Sequence, residues 1–212
     1  MNAMWLFVIC ALNFGISWWN AKVVGWLWND RPVMGLFTKA VLWSAAINSA
    51  IGFSSVFMVG LALLASQFMD PKQAHILITW MMSLWYVVVI LPILGTGLVI
   101  TLHSWMEFAR TRNWSDLAVS SWNTFAQLHN MYDATQSLGP AFDAVSDMFK
   151  AVLSNDDDDD KGAIGRLALA LVFLALIGGV LLTAMIIKAN IGKAPIPTED
   201  ILPGRRKEAS TA

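Results

Sequence analysis

The amino-acid sequence predicts an all-α, polytopic membrane protein with four transmembrane helices and an amphipathic helical connection between the third and the fourth. Of the 212 residues, 57% are hydrophobic and 14% are charged, whereas soluble domains contain about 45–50% apolar and about 25% charged residues. The apolar residues are gathered in blocks long enough to cross a hydrocarbon core, which takes a helix of about 20 residues. All 15 acidic residues lie outside these blocks.

The first three blocks make up a membrane domain over residues 1–103. Its predicted spans are residues 3–28, 40–68 and 76–102. Short segments that contain Asp and Pro separate the spans, because proline cannot continue the hydrogen-bond ladder of a helix. The third block also contains Pro92, Gly95 and Gly97, and a proline inside a membrane helix predicts a kink.

A polar connection follows at residues 104–162. Apolar side chains recur in it at steps of three and four residues, which predicts two amphipathic helices at 114–137 and 140–154. Their aromatic residues define a docking face: Trp122, Phe125, Tyr132, Phe142 and Phe149. Because these helices have few basic residues, we expect the face to dock onto the protein's own helices or a partner subunit rather than to adhere to lipid.

The connection ends in the acidic tract Asp156–Asp160. We interpret this tract as a solvated spacer in preference to a calcium site, since consecutive aspartates lack the spacing of a calcium-binding loop. The fourth span is predicted at residues 163–188 and a polar tail at 189–212.

Four spans would place both ends of this sequence on one face of the membrane and the 104–162 connection on the other. A small majority of the 14 lysines and arginines lies on the side of that connection, and such residues tend to remain cytoplasmic. The sequence therefore favours, by a narrow margin, a cytoplasmic connection, in a bacterial-type inner membrane or a membrane-containing assembly.

Two stripes of small residues follow the helical repeat within the predicted spans. Ser44, Asn48, Gly52 and Ser55 share one face of the second span, which predicts either close helix packing or a pore lining around Asn48. Packing is favoured, because small polar residues are enriched at helix contacts in membranes. Ala175, Gly179 and Thr183 predict a second helix–helix contact on the fourth span.

The sequence offers few groups for chemistry. The predicted spans contain no carboxylate, the three histidines (His75, His103 and His129) are dispersed, and no nucleophile or phosphate-binding motif is present. A net charge of −1 gives no basic surface for nucleic acid. We therefore expect a protein that is not an enzyme and needs no cofactor or metal.

The function expected from these features is that of a structural or assembly subunit of an oligomeric membrane complex. It would act through helix packing and its amphipathic connection. Its partners would be the lipid bilayer and either copies of itself or other subunits of the complex. The alternative is a homo-oligomeric channel or pore lined by the second span.

Overall fold

The computed structural model describes residues 3–154 and 160–194, and these residues are almost entirely helical. The elements are α1 (Ala3–Leu27), a 3₁₀ helix (Trp28–Val33), α2 (Leu36–Ser66), α3 (Pro71–Thr111), α4 (Trp114–Leu153) and α5 (Asp160–Asn190). No strand occurs in this part of the chain. The all-α prediction is confirmed.

Four of these helices are long and apolar enough to cross a membrane, namely α1, α2, α3 and α5. They correspond to the four predicted spans, although α2 begins at Leu36 and α3 continues to Thr111, beyond the predicted end at 102. The start of α3 is fixed locally, because the Asp70 side chain accepts hydrogen bonds from the backbone N–H groups of Lys72 and Gln73. Arg112 ends the helix in the left-handed conformation.

The connection between the third and fourth spans is one helix, α4, and not the two helices that the sequence predicted. The helix continues through Gly139 and Pro140, both of which are exposed. Residues on either side of them, including Ala134, Ala141 and Met148, are buried against the neighbouring helices. Packing on both sides offsets the lost backbone hydrogen bond that makes proline a helix breaker.

Consecutive helices of the bundle run antiparallel. Asn13 on α1 bonds Ser55 on α2, while Gln127 and Asp133 on α4 bond Leu94 and Tyr86 on α3 in reverse order. Consequently α1, α3 and α5 point one way and α2 and α4 the other. The bundle therefore has two ends: the Ala3 end, with the α2–α3 turn and the start of α5, and the Asn190 end, with the α1–α2 and α3–α4 turns.

This arrangement differs from the four-span topology predicted above. In the structure α3 and α5 start at the same end, where the side chains of Gln73 and Asp160 are hydrogen-bonded at 3.3 Å. Because α4 leads from the end of α3 back to the start of α5, it has to cover the full height of the bundle. Ala3 and Asn190 therefore lie at opposite ends of the bundle, and α4 extends from one end of the bundle to the other.

Helix α2 packs against α1, α3 and α5, and α5 packs against each of the other four long helices. Two apolar clusters hold the bundle together. One lies towards the Ala3 end around Met58, Leu77 and Met148, and the other towards the Asn190 end around Val24 and Phe53. Much of the acidic tract and of the polar tail, residues 155–159 and 195–212, lies outside the described residues.

Candidate functional site

A cavity of about 430 Å³ lies between α1, α2, α3 and α4. Nine polar side chains contribute to its wall: Asn13, Ser17, Asn20, Asn48, Ser55, Thr101, Asn123, Gln127 and Asn130. Isoleucines and Trp85 supply the apolar part. Within the described part of the chain, no acidic, basic or histidine residue lines the cavity. The wall formed by these residues is uncharged, and it combines polar groups with a larger share of apolar surface.

The cavity is partly open at the surface of the bundle, where Ile16 of its wall is exposed, and it lies near the middle of the helices that form it. Asn13 is close to the middle of α1, and Asn48, Gly52 and Ser55 surround the middle of α2. Both helices are candidate membrane spans, so these amides and hydroxyls lie far from either end of the apolar segments. Polar groups at such depth are costly unless they are hydrogen-bonded, and they mark candidate functional sites.

Three of the four residues of the polar stripe predicted on the second span lie at the cavity, and the fourth lies elsewhere. Asn48 Oδ1 accepts a hydrogen bond from Thr96 Oγ1 at 2.9 Å, and Ser55 Oγ accepts one from Asn13 Nδ2 at 2.6 Å. Gly52 lies against the Ser17 side chain. These three stripe residues both contact neighbouring helices and line the cavity, whereas Ser44 is buried elsewhere.

Two sets of cavity-lining residues were not predicted from the sequence. Asn13, Ser17 and Asn20 on α1 and the amides of α4 follow the same steps of four and three residues. That spacing places each set on one face of its helix. The α4 set is Asn123, Gln127 and Asn130. This spacing is present in the sequence. However, the aromatic residues between the amides of α4 indicated a contact face, and they lie on the opposite side of the helix.

Gln127 is the most confined of these amides, with only 8% of the residue exposed. Its Nε2 donates to the Leu94 carbonyl oxygen at 3.0 Å. Its Oε1 is buried and has no hydrogen-bond partner among the described residues. A buried amide oxygen without a hydrogen bond costs about 1–3 kcal/mol, so a hydrogen-bond donor placed at Oε1 would stabilise this side chain.

Gly97 makes room for that amide. A Cβ atom at Gly97 would overlap Gln127 Oε1, whereas a Cβ at Gly95 would meet nothing within 4 Å. The sequence assigned Pro92, Gly95 and Gly97 to a kink. The structure describes α3 as helical through all three, and it gives Gly97 the separate role of admitting a side chain from α4.

The small-residue stripe of the fourth span lies in a contact within the chain. Ala175, Gly179 and Thr183 are buried on α5. A Cβ at Gly179 would overlap the Ala50 carbonyl oxygen on α2, and Thr183 Oγ1 lies 3.2 Å from Ser49 Oγ. This stripe therefore allows α2 and α5 to approach closely.

The aromatic docking face on α4 is turned away from the bundle. All five of its residues are exposed: Trp122, Phe125, Tyr132, Phe142 and Phe149. The opposite face, with Ser120, Gln127 and Met148, packs against the other helices. The face was expected to dock onto the protein's own helices or a partner subunit; the structure leaves it exposed on the described chain, and docking onto a partner subunit stays a prediction. The reason is that polar and small side chains of α4 find partners inside the bundle, which leaves the aromatic ones outside.

A second polar cluster joins α3 and α4. Tyr86 Oη donates to Asp133 Oδ2 at 2.9 Å, and Ser137 Oγ donates to Asp133 Oδ1 at 3.2 Å. Asp133 lies outside the apolar blocks of the sequence, yet the packing of α4 brings it beside Tyr86 in the third span. No group of three or more His, Cys, Asp or Glu residues that could hold a metal ion occurs in residues 3–154 and 160–194.

Comparison with protein-family models, curated proteins and solved structures finds no match to this chain. The class of protein is defined by the helices themselves. Four helices apolar enough to cross a membrane place the chain among the multi-pass integral membrane proteins.

Proposed function

We propose that the chain is a non-enzymatic structural subunit of an oligomeric membrane complex, and that α4 provides its contact surface. The observation that carries this proposal is that α4 packs beside a membrane span although its own sequence is too polar for a span. The helix lies beside the third span, yet it is not among the helices that are apolar enough to cross a membrane alone.

The position of α4 follows from its hydrogen bonds to α3. Thr101 Oγ1 donates to the Asn123 carbonyl oxygen at 3.3 Å, and the Tyr86–Asp133 bond lies further along. Residues 123–133 therefore lie beside residues 86–101, inside the predicted span 76–102. When α3 crosses the bilayer, α4 crosses with it, so we propose five crossings in place of four.

The outer face of α4 is poorly suited to lipid alone. His129 and Gln136 are exposed among the aromatic residues Phe125 and Tyr132. Polar side chains at this depth are costly in hydrocarbon, but another helix can hydrogen-bond to them. Large aromatic side chains are also those that most often anchor protein contacts. A second copy of the chain, or another membrane subunit, would satisfy both kinds of residue.

The helix directions in the structure also change the orientation that we propose for the protein in the membrane. The Asn190 end carries Lys22, Arg31, Lys39, Arg110, Arg112, Lys188 and Lys193, whereas the Ala3 end carries Lys72, Lys150, Lys161 and Arg166. Because lysine and arginine near span ends tend to remain cytoplasmic, we propose that the Asn190 end is cytoplasmic. The 104–162 connection then passes through the membrane, in place of lying on its cytoplasmic side.

Disulfide cross-linking in native membranes tests the contact surface. The chain has a single cysteine, so Cys10→Ser gives a cysteine-free background for His129→Cys or Gln136→Cys. If copies of the chain meet through α4, mild oxidation yields a dimer from these variants. Leu98→Cys, at an exposed position on α3, is the matched control and should stay monomeric.

Native mass spectrometry after mild detergent extraction completes the test. A complex with a different membrane protein would support the same surface with a different partner. Monomers alone, together with the absence of any α4 cross-link in membranes, would contradict the proposal.

The alternative of a homo-oligomeric pore lined by α2 gains no support from the packing. Asn48, Gly52 and Ser55 face α1 and α3 of the same chain, so they are not free to line an axis between subunits. A conduit in this protein would have to use the cavity within each chain. Planar-bilayer recordings that show conductance, and its change in Asn48→Leu, would favour this alternative.

A further inference from the structure

We propose that the cavity lined by α1, α2, α3 and α4 binds a small uncharged polar molecule, either a polyol or an amide. An O–H or N–H group of this molecule would donate a hydrogen bond to Gln127 Oε1. This site does not depend on the oligomeric function proposed above. It concerns the interior of one chain, and the contact surface concerns the outside of α4.

The unsatisfied oxygen of Gln127 defines what the molecule must supply. The Nε2 of the same amide is held by the Leu94 carbonyl oxygen at 3.0 Å, which fixes the orientation of the group. Gly97 leaves room for Oε1 at the cavity wall. A carbonyl-type oxygen can only accept a hydrogen bond, so the missing partner is a donor.

Other amides in the wall are available to the same molecule. The side chains of Asn20 and Asn130 line the cavity, and neither forms a hydrogen bond to any other described residue. Asn48, by contrast, is already paired with Thr96, whose hydroxyl also lies 2.7 Å from the Pro92 carbonyl oxygen. Each free amide offers both donors and an acceptor, which suits a molecule with several hydroxyl or amide groups.

The charge and size of the cavity restrict the choice further. Since none of the described residues that line it is ionisable, a charged molecule would lose its hydration without gaining a counter-charge. The volume of about 430 Å³ compares with about 30 Å³ of liquid per water molecule. A small solute with a few accompanying waters fits, and the isoleucines of the wall can contact its C–H groups.

Saturation-transfer NMR on the full-length protein in lipid nanodiscs tests the site, with glycerol and urea as neutral probes and glycerate as the charged control. We expect saturable transfer to at least one neutral probe and none to glycerate. Equal signals from glycerol and glycerate, or no saturable signal from either neutral probe, would overturn the proposal. The second result would indicate a cavity that holds water only.

Variants locate the binding. Gln127→Leu and, separately, Asn130→Leu should each raise the apparent dissociation constant of the neutral probe about fivefold, the effect of one lost hydrogen bond. Gln67→Leu makes the same exchange at an exposed position beyond the end of α2, away from the cavity and from α4, and should leave the constant unchanged. Asn130 forms no hydrogen bond within the described residues, so Asn130→Leu should fold normally. This variant tests the site even if Gln127→Leu does not fold. A constant that is unchanged in Asn130→Leu and in any folded Gln127→Leu would contradict the site.

Discussion

At the scale of single residues, the interior of this protein depends on amides that are paired across helices. Gln127 and Asn48 each hydrogen-bond to a residue of α3, and Asn13 hydrogen-bonds to a residue of α2. In a membrane these bonds are worth roughly 0.6–2 kcal/mol each. The pairing could not be read from the sequence, because Gln127 and Gly97 are far apart in the chain and only the antiparallel packing of α3 and α4 brings them together.

Gly97→Ala should destabilise the protein, because the added methyl group overlaps Gln127 Oε1. Overpacking of this kind costs about 1–3 kcal/mol, and here it also disturbs the bond to Leu94. Thermal unfolding in detergent should show a lowered midpoint. Gly95→Ala is the matched control, because its methyl group meets nothing within 4 Å. Equal midpoints for the two variants would contradict the proposed role of Gly97.

At the scale of elements, the four apolar helices and the helical character of α4 were predicted, but the continuity of α4 through Pro140 and the face that it packs inward were not. A run of apolar residues identifies a span without reference to any partner, so α1, α2, α3 and α5 followed from the sequence. The aromatic residues of α4 suggested a face that docks, and its amides were not singled out. Beside other membrane helices it is the amide face that packs inward, since polar residues turn to the bundle interior.

Tyr86→Phe should weaken the contact between α3 and α4. It removes the hydroxyl that donates to Asp133 Oδ2 at 2.9 Å and leaves a half-buried carboxylate with one partner fewer. Loss of a hydrogen bond to such a group costs about 1–3 kcal/mol, which SDS titration of the purified protein can measure.

Tyr132→Phe is the matched control for that substitution. Tyr132 is also on α4, but it is exposed on the outer face. Surface substitutions of this kind usually change stability by no more than about 0.5 kcal/mol. A Tyr86→Phe variant as stable as Tyr132→Phe would show that the Asp133 bond does not hold α4 in place.

At the scale of the whole molecule, the number of helices that cover the height of the bundle decides the topology. Four spans were predicted from the sequence, and an even number of spans places both ends of the chain on the same side of the membrane. The structure adds α4 beside α3 and thereby separates Ala3 from Asn190. The distribution of lysine and arginine between the two ends then favours a cytoplasmic Asn190 end.

The central claim, that α4 crosses the membrane together with α3, is tested most directly by cysteine accessibility in intact cells. In the Cys10→Ser background, Lys72→Cys at the Ala3 end and Lys193→Cys at the Asn190 end are treated with a membrane-impermeant maleimide. The account predicts that Lys72→Cys is labelled from outside and that Lys193→Cys is labelled only after the membrane is permeabilised. Labelling of both positions from the same side would contradict it.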